Sequence, residues 1–195
     1  MIRTVLAAIL LCAAAPAISP AFAQTSPWTH EDVTFPETAG WCPSKTEEDD
    51  GAGGKTTSMH IQACGKEFPA LTAGIGFRGA EAQDIPSFTG NASAFAAGDD
   101  GKSTVDRIFK RKSDTCVRET FVVDNNPVRN LPAFQVNATY SCPGLGGTFQ
   151  FHNVTAYAQR KNGDLWIVAF DADHGALTAE EEDLIRSAVA AIIAR

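Results

Sequence analysis

The chain has 195 residues, of which 44% are hydrophobic and 20% are charged. These are the proportions of an ordinary folded domain, so composition excludes a fibrous or an intrinsically disordered protein. Asp and Glu outnumber Lys and Arg by 23 to 16, which gives a formal net charge of −7. This balance argues against nucleic acid as a partner, because a surface that binds phosphates must be positive.

The first 23 residues have the organisation of a secretory signal peptide. Arg3 precedes an apolar run over residues 4–15, and Ala21-Phe22-Ala23 forms a small-residue cleavage site. The run is too short for a permanent anchor, so we expect no stable membrane insertion. We predict a signal peptide at 1–23 and one domain at 24–195, located in the bacterial periplasm or secreted. Without the leader, 15 Lys and Arg face 23 Asp and Glu, a formal charge of −8.

The first part of the predicted domain gives a mixed pattern. Residues 25–36 are typical of a partly extended entry segment. Residues 43–57 contain four consecutive acids followed by glycines, and this composition predicts a solvated loop. The alternation of apolar and polar residues then predicts a strand over Ser58–Ala63.

The segment that follows contains a second short strand and a helical stretch. The strand is predicted over Ala73–Arg78. Its glycines spell G-x-G-x-x-G between Gly74 and Gly79, but Pro69 upstream and Pro86 downstream do not fit the strand–turn–helix context of a dinucleotide site. We therefore predict no cofactor. Within residues 85–98 we expect one or two helical turns, capped by Asn91.

From residue 103 onward the pattern predicts strands separated by turn clusters. Short turns between successive strands favour an antiparallel meander. Asn162-Gly163 predicts a hairpin with a type I′ turn, since both residues accept a positive φ. The five predicted strands are Val105–Lys110, Thr115–Val123, Ala133–Ser141, Thr148–Ala158 and Leu165–Phe170.

A helix is predicted at the end of the chain. Thr178 is a good N-cap, and Glu181 three residues later completes a capping box. An apolar stripe at helical spacing should pack on a sheet face. The fold class is therefore α+β, an antiparallel meander covered by a C-terminal helix. The stripe consists of Leu184, Ile185, Ala188, Val189, Ile192 and Ile193.

Four cysteines remain after the leader, which carries the fifth, is removed. An even number in an exported chain predicts two disulfides, for which three connectivities exist. Sequential pairing joins Cys42 to Cys64 and Cys116 to Cys142, because each pair flanks a predicted hairpin. No C-x-x-C is present and no histidine lies at ligand spacing from a cysteine, so we predict no metal site.

Two charged clusters have a functional and a structural interpretation. Asp171 and Asp173, with Gly175 and Glu182, partly match a calcium loop, but the glycine that such a loop needs at its sixth position is absent. We favour a polar strand-to-helix connection. A basic cluster over Arg107–Arg118 could bind an anion, or it could be the charged end of a hairpin that protects an edge strand, which we favour.

Histidines and nucleophiles form no recognisable catalytic motif in the sequence. His60 and His152 fall on predicted strands, where the polar, solvated face is the simplest placement. G-x-S-x-G and H-E-x-x-H are both absent. We predict that the protein is not an enzyme and assign no catalytic residue.

The overall layout resembles the PsbP-like superfamily. The resemblance rests on Phe35-Pro-Glu-Thr-Ala-Gly-Trp41, on Leu131-Pro-Ala133 between two strands, on the meander and on the terminal Thr178-Ala-Glu-Glu helix. It implies an α/β/α sandwich around an antiparallel sheet and a non-enzymatic binding or assembly role. It transfers no functional residue, because no catalytic motif defines that superfamily.

Three functions follow from the sequence, in order of preference. The first is an exported, disulfide-stabilised protein with a binding or accessory role toward a protein or small molecule. The second is an exported inhibitor of a lysozyme or protease, which Ala138-Thr-Tyr-Ser-Cys142 leading into Phe149-Gln-Phe151 resembles. The third is a hydrolase with a dispersed active site. The oligomeric state is left open.

Overall fold

The computed structural model describes residues 27–49 and 55–195. The fold is α+β, as predicted. The elements in chain order are β1 (Thr29–His30), β2 (Val33–Thr34), β3 (Trp41–Asp49), β4 (Lys55–Ala63), β5 (Ala70–Phe77), α1 (Ile85–Ala97), α2 (Asp99–Lys112), β6 (Val117–Asn125), β7 (Ala133–Cys142), β8 (Gly147–Gln159), β9 (Leu165–Ala172) and α3 (Ala179–Ile193).

Seven strands form one antiparallel sheet in the order β3-β4-β5-β9-β8-β7-β6. It consists of two meanders, β3–β5 and β6–β9, and the last strand of the second pairs with the last strand of the first. The α1–α2 segment carries the chain from the centre of the sheet to its far edge. The predicted meander is thus correct for β6–β9.

Helices lie on both faces of the sheet. On face A, α3 packs with the inward side chains of β4, β5, β8 and β9. On face B, α1 and α2 cover β6, β7 and β8, where Phe88 contacts Tyr157 edge-on and Phe109 stacks on Tyr140. Successive side chains of a strand point to opposite faces, so in β7 Ala133 belongs to the core on face A and its neighbour Phe134 points to face B.

The C-terminal helix has the predicted cap. The Thr178 side chain accepts a hydrogen bond from the Glu181 amide, and the Glu181 side chain accepts one from the Thr178 amide. Five residues of the apolar stripe are buried on face A. The sixth, Ile193, is exposed, because it lies on the flank of the helix at the last turn.

Residues 105–110 are helical, which contradicts the predicted strand. The β-branched residues Val105 and Ile108 suggested a strand, but Val105 and Phe109 are four apart and share the buried face of α2. Asp99 and Asp100 begin this helix and Lys110 to Lys112 end it, an arrangement that suits the helix dipole. The basic cluster is therefore largely a helix C-terminus, and the interpretation as a hairpin end was wrong.

The predicted solvated loop at 43–57 was also largely wrong. Most of it belongs to β3 and β4, which pair from Trp41 opposite Ala63 to Asp49 opposite Lys55. An edge hairpin needs only backbone hydrogen bonds and one anchored end, so polar composition did not prevent strand formation. Residues 50–54 lie outside the described residues.

Two local details differ from expectation. The helix at Ile85 has 13 residues, and its N-cap position is Asp84 rather than Asn91, with Pro86 in the first turn. The hairpin after β8 is present, but Gly163 alone takes a positive φ, of 88°. Its amide donates to the carbonyl of Arg160, so the turn is type I with a left-handed glycine instead of type I′.

Candidate functional site

A cleft opens on face B between α2 and the end of the sheet where β8 begins and β9 ends. Its volume is about 380 Å³, within the range of small-molecule sites. We refer to it as the aromatic cleft. Its lining includes Phe68, Ile108, Phe109, Lys112, Phe149, Phe151, Asp171 and Asp173.

The walls of the aromatic cleft are apolar side chains that the fold leaves partly open. Phe109 is fixed by stacking on Tyr140, with ring centroids 3.9 Å apart, and meets Phe151 edge-on at 6.4 Å. Phe68, Ile108 and Phe149 are exposed although they are large and apolar. Clustered exposed apolar side chains are typical of a surface that meets a ligand or partner.

Asp171 supplies a half-buried carboxyl group on the sheet wall of the cleft. Burial raises its pKa above the ordinary value, while a hydrogen bond from Asn153 and the nearby His60 act in the opposite direction. The Asn153 amide nitrogen donates to Oδ1 of Asp171 at 3.0 Å. Thr155 donates to the Asn153 oxygen at 2.8 Å, which leaves the amide nitrogen oriented toward the carboxyl.

A polar strip continues from Asp171 across face B. His60 on β4 and Thr72 on β5 are direct cross-strand partners, and Nδ1 of His60 lies 3.0 Å from the Thr72 hydroxyl. These side chains are half-buried. The apolar cleft therefore adjoins a hydrogen-bonding surface.

A second pocket, of about 420 Å³, lies at the start of α3. Nε2 of His174 is 3.0 Å from Oε1 of Glu181, the buried capping-box residue. The ring of His174 is 6.4 Å from that of His152. These contacts hold the β9–α3 connection against the helix, so the group stabilises the fold.

His152 is buried, which corrects its predicted placement on a solvated face. Its Nδ1 hydrogen-bonds with Oδ1 of Asn137, and Nε2 has no partner among the described residues. Burial lowers its pKa below the ordinary value, and His174 adds to this, while Glu181 opposes it. His152 and Asn137 are cross-strand partners, and both side chains point to face A.

The cysteines form the two pairs expected from the sequence. The bridges join Cys42 to Cys64 and Cys116 to Cys142, each with an S–S distance of 2.10 Å. The second is buried behind the aromatic cleft beside Tyr140, and the first is exposed at the end of the β3–β4 hairpin.

The predicted charged residues are only partly brought together. Asp171 and Asp173 line the same cleft, and the segment between β9 and Thr178 is the polar connection that we favoured. Among the described residues, no three His, Cys, Asp or Glu side chains meet to hold a metal ion. Of the basic cluster, Lys112 reaches the cleft, whereas Arg118 pairs with Asp106 at 3.3 Å.

Sequence reasoning missed the aromatic cleft. Its walls come from the β4–β5 connection, from α2, from β8 and from the end of β9, so no local pattern unites them. The one usable indication was the i, i+2 pair Phe149 and Phe151, which must share a face of β8.

No helix in the described part of the chain is long and apolar enough to cross a membrane. Comparison with known protein families, with curated proteins and with solved structures finds no match to this chain.

Proposed function

We propose that this is an exported, non-catalytic binding protein whose ligand enters the aromatic cleft. The carrying observation is an open apolar cleft that ends at the half-buried carboxyl of Asp171, whose pKa is raised by desolvation. Such a site suits a ligand with an apolar body and a hydrogen-bond donor or positive charge at one end. The predicted leader at residues 1–23 and the two disulfides support export.

The cleft has costs that a merely structural region would avoid. Exposed aromatic side chains lose the free energy that burial would provide, about 25 cal/mol per Å² of apolar surface. The raised pKa of Asp171 means that its ionised form is disfavoured in the folded protein. A cationic or donor group beside this carboxyl would relieve that penalty, so ligand binding compensates both defects.

The hydrolase alternative has one observation in its favour. On face B, His60 hydrogen-bonds with the Thr72 hydroxyl and interacts electrostatically with the carboxyl of Asp171, as a base does with a nucleophile and an acid. However, Thr72 lies on a strand paired on both sides, so its backbone amides are used by the sheet. Without free donors for an oxyanion, acyl transfer loses its largest stabilising term, and the binding role is preferred.

The inhibitor alternative rested on residues 138–142 and 149–151. In β7, the side chains of Ala138, Tyr140 and Cys142 are buried. They stabilise the region behind the cleft and present no surface to an enzyme. Membership of the PsbP-like superfamily remains a proposal, which the helices on both sheet faces support.

Paired probes of opposite charge test the binding role. Dodecyltrimethylammonium and dodecyl sulfate share an apolar chain, and each is titrated below its critical micelle concentration by isothermal calorimetry. We expect saturable binding of the cation that exceeds binding of the anion. Phe149→Ser should weaken both probes, while Asp171→Asn should weaken the cation selectively.

Phe95→Ser is the matched control, because Phe95 is an exposed phenylalanine of α1 outside the cleft lining. It should leave both titrations unchanged. Equal, non-saturable heats for the two probes, or an equal effect of the Phe95 and Phe149 variants, would refute binding in the cleft. Hydrolysis of generic esters that disappears in Thr72→Val would favour the enzyme instead.

A further inference from the structure

The two edges of the sheet differ in chemistry. The sequence of β3 contains Pro43 and Lys45 and ends in Glu47-Glu48-Asp49, a composition typical of edge strands that do not pair further. The β6 edge has the sequence VRETFVVDN, without proline and with three valines and a phenylalanine. By composition, the β6 edge is therefore better suited to pairing with another strand than the β3 edge.

The β6 edge is also accessible. Among the described residues, β6 pairs only with β7, which makes it the last strand of the sheet. Val117 and Val122 are 64% and 57% exposed. A long edge strand with exposed valines is a template for another strand.

Only a short part of β6 pairs regularly with β7. The register with β7 shifts between Arg118 and Thr120, and beyond it the pairing is regular from Thr120 to Asn125. On face A, Thr120, Val122 and Asp124 are exposed; on face B, Phe121 and Val123 are half-buried. Any added strand must pair with this five- to six-residue stretch.

We propose that the occupant is a second copy of this chain, added antiparallel through β6 to make one continuous fourteen-stranded sheet. A two-fold axis perpendicular to the sheet places face A of one copy beside face A of the other. Residues that lie opposite each other point to the same face, so the even-numbered residues of β6, which point to face A, must pair with even-numbered residues of the second copy. The register centred on Val122 places the two Val122 side chains opposite each other.

The remaining pairs in this register are complementary. Thr120 lies opposite Asp124 of the second copy, a hydroxyl donor facing a carboxylate acceptor, and this pair occurs twice. Phe121 lies opposite Val123, the aromatic and β-branched combination that stabilises cross-strand pairs. Centring on Val123 instead would place Val122 against Asp124, and centring on Phe121 would run into the irregular pairing near Arg118.

Sedimentation equilibrium from micromolar to millimolar concentration tests the proposal. The net charge of each chain is negative, so added salt should strengthen association. Val122→Lys places like charges opposite each other at the two-fold axis and should raise the dissociation constant about tenfold or more. Val122→Thr keeps the β-branch and should stay close to the parent.

Ile193→Lys is the control, since Ile193 is also exposed but lies on α3. It should dimerise like the parent, and thermal unfolding checks that each variant is folded. Amide hydrogen exchange should show protection of residues 120–125 that increases with concentration. A parent that is monomeric at every concentration, or a dimer insensitive to Val122→Lys, would overturn the proposal without affecting the proposed ligand site.

Discussion

Ile192 and Ile193 are neighbours on α3 that differ in burial, and this difference predicts their contributions to stability. Ile192 is 0% exposed and packs on face A, whereas Ile193 is 52% exposed. Ile192→Ala removes buried methyl groups and leaves a cavity, which should lower the free energy of unfolding by about 3 kcal/mol. Ile193→Ala should cost less than about 1 kcal/mol, because half of its surface is already in water and alanine favours the helix.

Urea denaturation with both disulfides intact measures the two free energies. For a protein of this size, about 3 kcal/mol corresponds to a fall in melting temperature of about 6–12 °C. The dependence on urea concentration should be unchanged in both variants, since the same surface unfolds. Equal losses, or a larger loss for Ile193→Ala, would show that α3 rests on the sheet through another face.

Three further results are expected. Asp171→Asn should raise the melting temperature at pH 7, because burial raises the pKa of Asp171 and the ionised carboxyl therefore destabilises the folded state. This gain in melting temperature should vanish below pH 3.8, the ordinary pKa, where the carboxyl is protonated in the folded and unfolded states alike. The lowered pKa of His152 should make stability fall as the pH drops below 6.5, and His152→Gln should reduce this slope in urea titrations at several pH values. Mild reductant should open the exposed bridge between Cys42 and Cys64 before the buried one, as mass spectrometry after alkylation would show; simultaneous opening would contradict the burial.

The parts of the fold that were predictable are those in which local pattern and tertiary packing agree. The capping box at Thr178 and the stripe that follows it fix α3 by themselves. The sequential cysteine pairing followed because both pairs flank hairpins whose turn residues are recognisable. Four of the five strands predicted after residue 103 are present.

The errors arise where distant residues decide. Residues 105–110 form a helix because Val105 and Phe109 pack on Tyr140, more than thirty residues away, and this overrides the strand preference of β-branched side chains. His152 is buried because α3 and its preceding connection cover face A there. The aromatic cleft combines four separate segments, so its existence depends on a topology that no single segment encodes.

The central position of β9 has a consequence for how the protein is made. This strand is the last of the chain, yet it joins β5 to β8 and so connects the two meanders. During synthesis from the amino terminus, neither meander can complete the sheet before β9 is available. Until then, β5 and β8 each have one edge that lacks its partner strand. Contacts between residues near 71 and 170 close only after almost the entire chain is available. The sheet should thus remain incomplete until the final quarter of the chain is available, and folding should then proceed slowly because the contacts that close the sheet are distant in sequence.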